Sequence, residues 1–158
     1  MVVLAETQYR NSRTMTLQLS ALVLLDQYNE DRHPYIQKFI DTYKENPLVM
    51  MKYLTLVGNS TNSQVVENIK NVQVSSFYQE KLPNHAKALF GTFSRNLEFF
   101  HKKDGSGYEL LSDFILTIDA INPHTAARMV GAFKLYPKLS EECQNIMRPY
   151  LEKIYTKE

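Results

Sequence analysis

The segment Ile121-Asn122-Pro123-His124-Thr125-Ala126-Ala127-Arg128-Met129 sets a histidine and an arginine four residues apart. On a helix that spacing puts both side chains on one face. Ala126 and Ala127 keep the surroundings uncrowded. An arginine placed this way offers a planar fork of donors to an anionic or carbonyl group. His124 and Arg128 are therefore the candidate site residues, read as a recessed polar stripe facing such a group. The same spacing also suits a solvated helix face, or an arginine paired with an acid such as Asp119. Spacing alone leaves these readings open.

The remaining chemistry is sparse. His33, His85, His101 and His124 are the histidines, and no pair has the His-Glu-x-x-His arrangement or sits with cysteine or carboxylate at metal spacing. His101 lies near Asp104, at a helix end running into a loop, where a surface histidine is expected. Asp104-Gly105-Ser106-Gly107 reads as a tight turn into a helix, since no strand precedes it as a phosphate loop requires. Ser106, Ser112 and Ser140 show no histidine-plus-acid setting. The expectation is no catalytic residue and no metal ligand in this chain. The tyrosines fall mostly at core-like helical spacing and read as packing residues.

The elements that hold these residues are helical throughout. Thr14 to Tyr28 carries Leu17, Ala21, Leu24, Leu25 and Tyr28 at three-and-four spacing. Pro34 opens a second helix with Tyr35, Ile36, Phe39, Ile40 and Tyr43 on its apolar face. Asn46-Pro47 starts a third, because asparagine caps free amides and proline suits the first helical position. Gly58-Asn59 ends it. Ser63 is the expected cap of a short helix through Val72, and Asn84 that of a helix from His85 to Phe93. Ser75 to Pro83 reads as a connection with Phe77 and Tyr78 tucked beneath it, and Leu97 to Phe100 as a short turn. Ser106 and Glu109 have capping-box spacing for a helix to about Ala120. Asn122-Pro123 repeats the asparagine-proline start, and Pro137 is expected to interrupt that helix. Ser140-Glu141-Glu142 starts the last one, with a kink or break expected at Pro149.

The fold expected is all-α: about eight helices with short links, in antiparallel pairs stacked as an α-solenoid or superhelix of HEAT or armadillo kind. The whole chain, 1–158, is read as one helical domain.

Composition narrows the function classes. A chain of 158 residues with 44% hydrophobic content can bury a core without staples. Net charge is +1, with 18 basic and 17 acidic residues dispersed along the chain, which argues against nucleic acid or an anionic membrane as partner. No stretch is long and apolar enough to span a bilayer. Val2 to Ala5 is too short for the core of a signal peptide. One cysteine, Cys143, fits a reducing compartment, and a cytoplasmic location is expected.

Motif order adds a resemblance. Asp104-Gly105-Ser106-Gly107-Tyr108, an apolar-rich stretch, and then Asn122-Pro123-x-x-Ala126-Ala127-Arg128 resemble the C-terminal domain of alanyl aminopeptidase, the aminopeptidase N type of gluzincin-class zinc peptidase. Gln8-Tyr9-Arg10 with Met15-Thr16 resembles the family's entry to this region. Asn46-Pro47-Leu48-Val49 with Lys52-Tyr53 resembles its "DPLVLDKW" segment, with tyrosine in the tryptophan place. Pro83-Asn84 with Ala88-Leu89-Phe90-Gly91-Thr92-Phe93 resembles "NPNRVRALIGAF", and Leu139 to Ile154 resembles the closing "RQALMRAALERI" helix. The stretch Thr61 to Ser76 matches weakly.

The resemblance implies a helical superhelix that packs on a catalytic domain and closes a cavity over a zinc site. It implies zinc in the parent enzyme and none in this chain, which lacks both the metal motif and the Gly-x-Met-Glu-Asn motif. The chain then reads as an N-terminally truncated piece, inactive alone, whose partners are the other domains of the parent and its peptide substrates. Self-association of the separated piece is expected. Arg128 falls on the family's arginine at the end of Asn-Pro-x-x-Ala-x-Arg, a cavity-lining group, and His124 falls where glutamine is usual. A freestanding helical-repeat module that binds a protein partner is the alternative reading.

Overall fold

The computed structural model describes residues 1–156, and helices are its only regular elements. In chain order they are α1 (Val2–Asn11), α2 (Met15–Tyr28), α3 (His33–Tyr43), α4 (Pro47–Gly58), α5 (Val65–Gln73), α6 (Pro83–Phe93), α7 (Leu97–Phe100), α8 (Ser106–Asp119) and α9 (Pro123–Val130). A 3-10 segment (Gly131–Lys138) and α10 (Glu141–Thr156) follow.

Four helix starts follow directly from their capping residues. The Thr14 hydroxyl accepts from the Leu17 amide, Asn46 Oδ1 from Val49, Asn122 Oδ1 from Thr125 and Ser140 Oγ from Cys143. Each satisfies one amide that the first turn leaves free. Pro47 and Pro123 sit at first helical positions, where their missing N–H costs nothing.

Other local expectations are corrected. Ser63 does not cap α5; Asn62 Oδ1 instead accepts from the Gln64 amide and shapes the turn before it. Asn84 lies inside α6, because Pro83 already holds the first position and Leu82 precedes it. Ser106 forms no capping box. Asp104 Oδ1 accepts both its amide and its hydroxyl, and Gly105 turns the chain with φ +76°, a left-handed conformation that suits glycine. Pro149 does not break α10, which runs unbroken from Glu141 to Thr156 and tolerates one lost backbone bond. Pro137 lies within the 3-10 segment into which α9 passes after Val130. α1, not foreseen as a helix, buries only Ala5 and Tyr9.

The helices form an all-α, solenoid-like stack. α1 packs on α2, α4 on α6, and α8 on both α9 and α10, while α5 bridges from α4 to α8. The core runs continuously through Leu25, Phe39, Leu54, Phe90, Phe114 and Met147. Phe90 of α6 and Phe114 of α8 stack with centroids 3.8 Å apart and planes 10° from parallel. Gly58 lets α4 meet α6 backbone to backbone: a Cβ there would overlap the Leu89 carbonyl oxygen and lie 3.2 Å from the Phe93 nitrogen.

Helix ends are tied by a buried polar hub. Asp26 at the end of α2 pairs with Arg32 before α3 at 3.2 Å, and its carboxylate accepts from the Ser60 hydroxyl. Asn62 Nδ2 donates to the Asp26 carbonyl, Arg32 Nη2 to Gln64 Oε1, and Asn96 Nδ2 to the Ser60 carbonyl. Buried charges and carbonyls so far from water need such partners.

Candidate functional site

The candidate stripe is set by α9. Its Asn122 cap and Pro123 fix where the helix begins, and its phase follows from the side it buries. Thr125, Ala126 and Met129 face inward, against α8 and α6. The opposite side presents His124, Ala127 and Arg128, all exposed. The structure thus brings His124 and Arg128 together on one open face, one helical turn apart. The described ion pairs are Arg32–Asp26, Lys102–Asp104, Lys103–Glu142 and Lys153–Asp113, and Arg128 is in none of them. Its guanidinium is presented to the medium without a partner of that kind.

His33 is exposed, whereas His85 and His101 are structural. His85 is buried in α6, and its Nδ1 accepts the Gln79 amide at 3.0 Å. His101 Nδ1 lies 2.8 Å from the Tyr108 hydroxyl, within an aromatic cluster of Phe100, Tyr108 and Phe133. Burial holds both imidazoles below their ordinary value and pushes the Tyr108 phenol up to about 12. His101 is half-buried, and its contact with Tyr108 ties it to the start of α8. At the turn before α8, Lys102 and then Ser106 hold the Asp104 carboxyl down at about 2. Among the described residues no three His, Cys, Asp or Glu side chains converge in a group that could hold a metal ion. No helix among them is long and apolar enough to cross a membrane.

A second concave feature was not foreseen. A cleft of about 570 Å³ opens between α3 and α5, with α4 as its floor. Its lining comes from segments far apart in sequence, so no local pattern announces it. Ile36 and Ile40 line it from α3, Leu56 from α4, Asn68 and Asn71 from α5, and Phe77 from the following link.

The protein family described as "Domain of unknown function (DUF3458_C) ARM repeats" matches residues 2–158. The chain belongs to this ARM-repeat family. Membership accounts for the solenoid-like stack and for the absence of strands among the described residues. Outside the family description, the chain is similar to proteins named aminopeptidase N. The one from Caulobacter vibrioides is 32% identical over 124 residues, covering 78% of this chain and 14% of that protein. The one from Escherichia coli is 28% identical over 154 residues, covering 96% of this chain and 18% of that protein. In a crystal structure of Legionella pneumophila aminopeptidase A in complex with aspartic acid, the matching region superposes with a TM-score of 0.92 at 26% identity. It covers 98% of this chain and 19% of that one. The ARM-repeat chain therefore spans less than a fifth of each of these relatives, and it is similar to the C-terminal domain of aminopeptidase N.

Proposed function

We propose that this chain is the C-terminal helical domain of a zinc-dependent aminopeptidase that releases N-terminal amino acids from peptides. One observation carries the reading: similarity to aminopeptidases N extends over 96% of the chain, in one uninterrupted helical architecture. That extent favours an enzyme part over a freestanding interaction module. The domain's share of the work is to wall and gate the substrate chamber. His124 and Arg128 line that chamber, and Arg128 offers its donors to a carboxylate or carbonyl of the peptide. Zinc, held by polypeptide outside this chain, supplies the activated water. The partners are the catalytic and other domains of the parent, and the parent is cytoplasmic.

The test compares two purified proteins, the 158-residue chain and the full-length parent. The parent releases alanine from an alanyl peptide and holds zinc through dialysis, while the 158-residue chain does neither. Hydrolysis by the shorter chain with retained zinc would overturn the division of labour.

A further inference from the structure

The cleft between α3 and α5 has no role in that reading, yet its lining has a definite chemistry. Asn68 is half-buried and Asn71 exposed, and neither side chain is taken up by a hydrogen bond within the described residues. A free amide carries both donors and an acceptor. That is the complement of a peptide backbone, which presents N–H and C=O in turn. Gln64, at the start of α5, continues the row; its oxygen is held by Arg32 and its amino group is left over.

The spacing suits an extended chain. From position 64 to 71 the helical rise amounts to roughly 10 Å. Three residues of extended polypeptide cover roughly the same length. The facing wall is apolar, with Ile36 and Ile40 half-buried on α3 and Leu56 and Phe77 beneath. An extended chain sends alternate side chains to opposite sides, so one side chain can rest on that floor while the backbone meets the amides. Charge does not favour an ion here. Arg32 is consumed by Asp26 and Gln64, and Asp41 accepts from Gln37. Glu30, Asp41, His33 and Lys44 are exposed, so beyond the Arg32–Asp26 pair the lining carries two acids against one lysine, and a single exposed acid in excess specifies no ion. The volume lies within the range of ligand pockets, roughly 300–1,000 Å³.

We propose that this cleft binds a short, extended, uncharged stretch of polypeptide: Asn68 and Asn71 hydrogen-bond its backbone while an apolar side chain rests on Ile36, Ile40, Leu56 and Phe77. The site lies on different helices from the His124–Arg128 face. It does not depend on the peptidase reading.

The probe is N-acetyl-alanyl-leucyl-alanyl-leucine amide, titrated into the isotope-labelled 158-residue chain and followed by NMR. Its blocked N-terminus makes it no substrate for an aminopeptidase, so the outcome is separate from that of the functional proposal. Saturable shifts are expected at the Asn68 and Asn71 side-chain amides and at the Ile36 and Ile40 methyl groups. The double variant N68A/N71A is expected to weaken binding about tenfold, as the loss of two hydrogen bonds implies. Methylating the backbone nitrogens of the probe should weaken binding to the unaltered protein to a similar degree. That arm decides alone if the double variant loses its helical circular dichroism. Three results would overturn the proposal: no saturable shift, shifts confined to other helices, or equal binding of the methylated probe. The last would show an apolar ligand pocket without backbone recognition.

Discussion

Asp26 Oδ1 lies 3.2 Å from Arg32 Nε, and the two side chains are only 7% and 11% exposed. Few charges in a small domain are so far from water. The pair joins the end of α2 to the start of α3; Ser60 donates to the other carboxylate oxygen, Arg32 Nη2 donates to Gln64, and Asn62 donates to the Asp26 main-chain carbonyl. A buried pair of this kind is weak as a net source of stability but costly to break. Removing Asp26 leaves a buried guanidinium short of its counter-ion. The variant D26A should lose about 3–5 kcal/mol in urea unfolding. The paired apolar replacement D26L/R32M should recover most of that loss.

Gly58 predicts a second large effect. α4 and α6 approach so closely that a methyl group at this position meets the Leu89 carbonyl. Backbone cannot give way as a flexible side chain can. G58A should destabilise by about 1–3 kcal/mol, with a lower Tm in thermal unfolding. An equal or higher Tm would mean that the two helices slide apart without penalty.

One buried and one half-buried imidazole set a pH dependence. Burial lowers the affinity of His85 and His101 for protons in the folded state. The unfolded chain protonates them as pH falls below about 6.5. The unfolded state then binds more protons, so stability must fall as the pH falls from about 7 to about 5. H101Q should make the slope of Tm against pH shallower over that window. The Asp104 carboxyl acts elsewhere: its folded value is depressed, so its contribution is lost only as pH falls toward about 2.

Exposed apolar side chains give a prediction about assembly. Val3 and Leu4 on α1 are 71% and 75% exposed, and Leu17 and Val23 on α2 are about half exposed at 49% and 50%. Exposed apolar side chains on these two helices are ones that a partner can cover. Light scattering on the isolated chain should show a mass that rises with concentration. V3E/L4E should shift it toward monomer. A monomer at every concentration would contradict the reading of this surface as one normally covered.

What the sequence disclosed was local. Asn46, Asn122 and Ser140 announce helix starts because a cap acts on an amide three residues away. Ser106 misled because Asp104, two residues earlier, competes for the same amide and wins. Pro149 misled because one lost backbone bond does not end a helix that also packs on α8. The hub escaped notice because Asp26 and Ser60 are 34 positions apart, and only the stacking of helices makes them neighbours. The cleft escaped for the same reason. The shared face of His124 and Arg128 was legible, since four residues along one helix fix it.

The central claim is that this helical stack walls a peptidase chamber and presents Arg128 to the substrate. The most direct measurement is kcat/KM of the full-length parent and its R128A variant on an alanyl peptide, with zinc content measured in parallel. R128A should lose about tenfold or more in kcat/KM, as the loss of a hydrogen bond from a charged group implies, with zinc unchanged. R128K should restore only part of it, since a single ammonium does not replace the fork. An R128A enzyme with unaltered kcat/KM would show that this face looks away from the substrate.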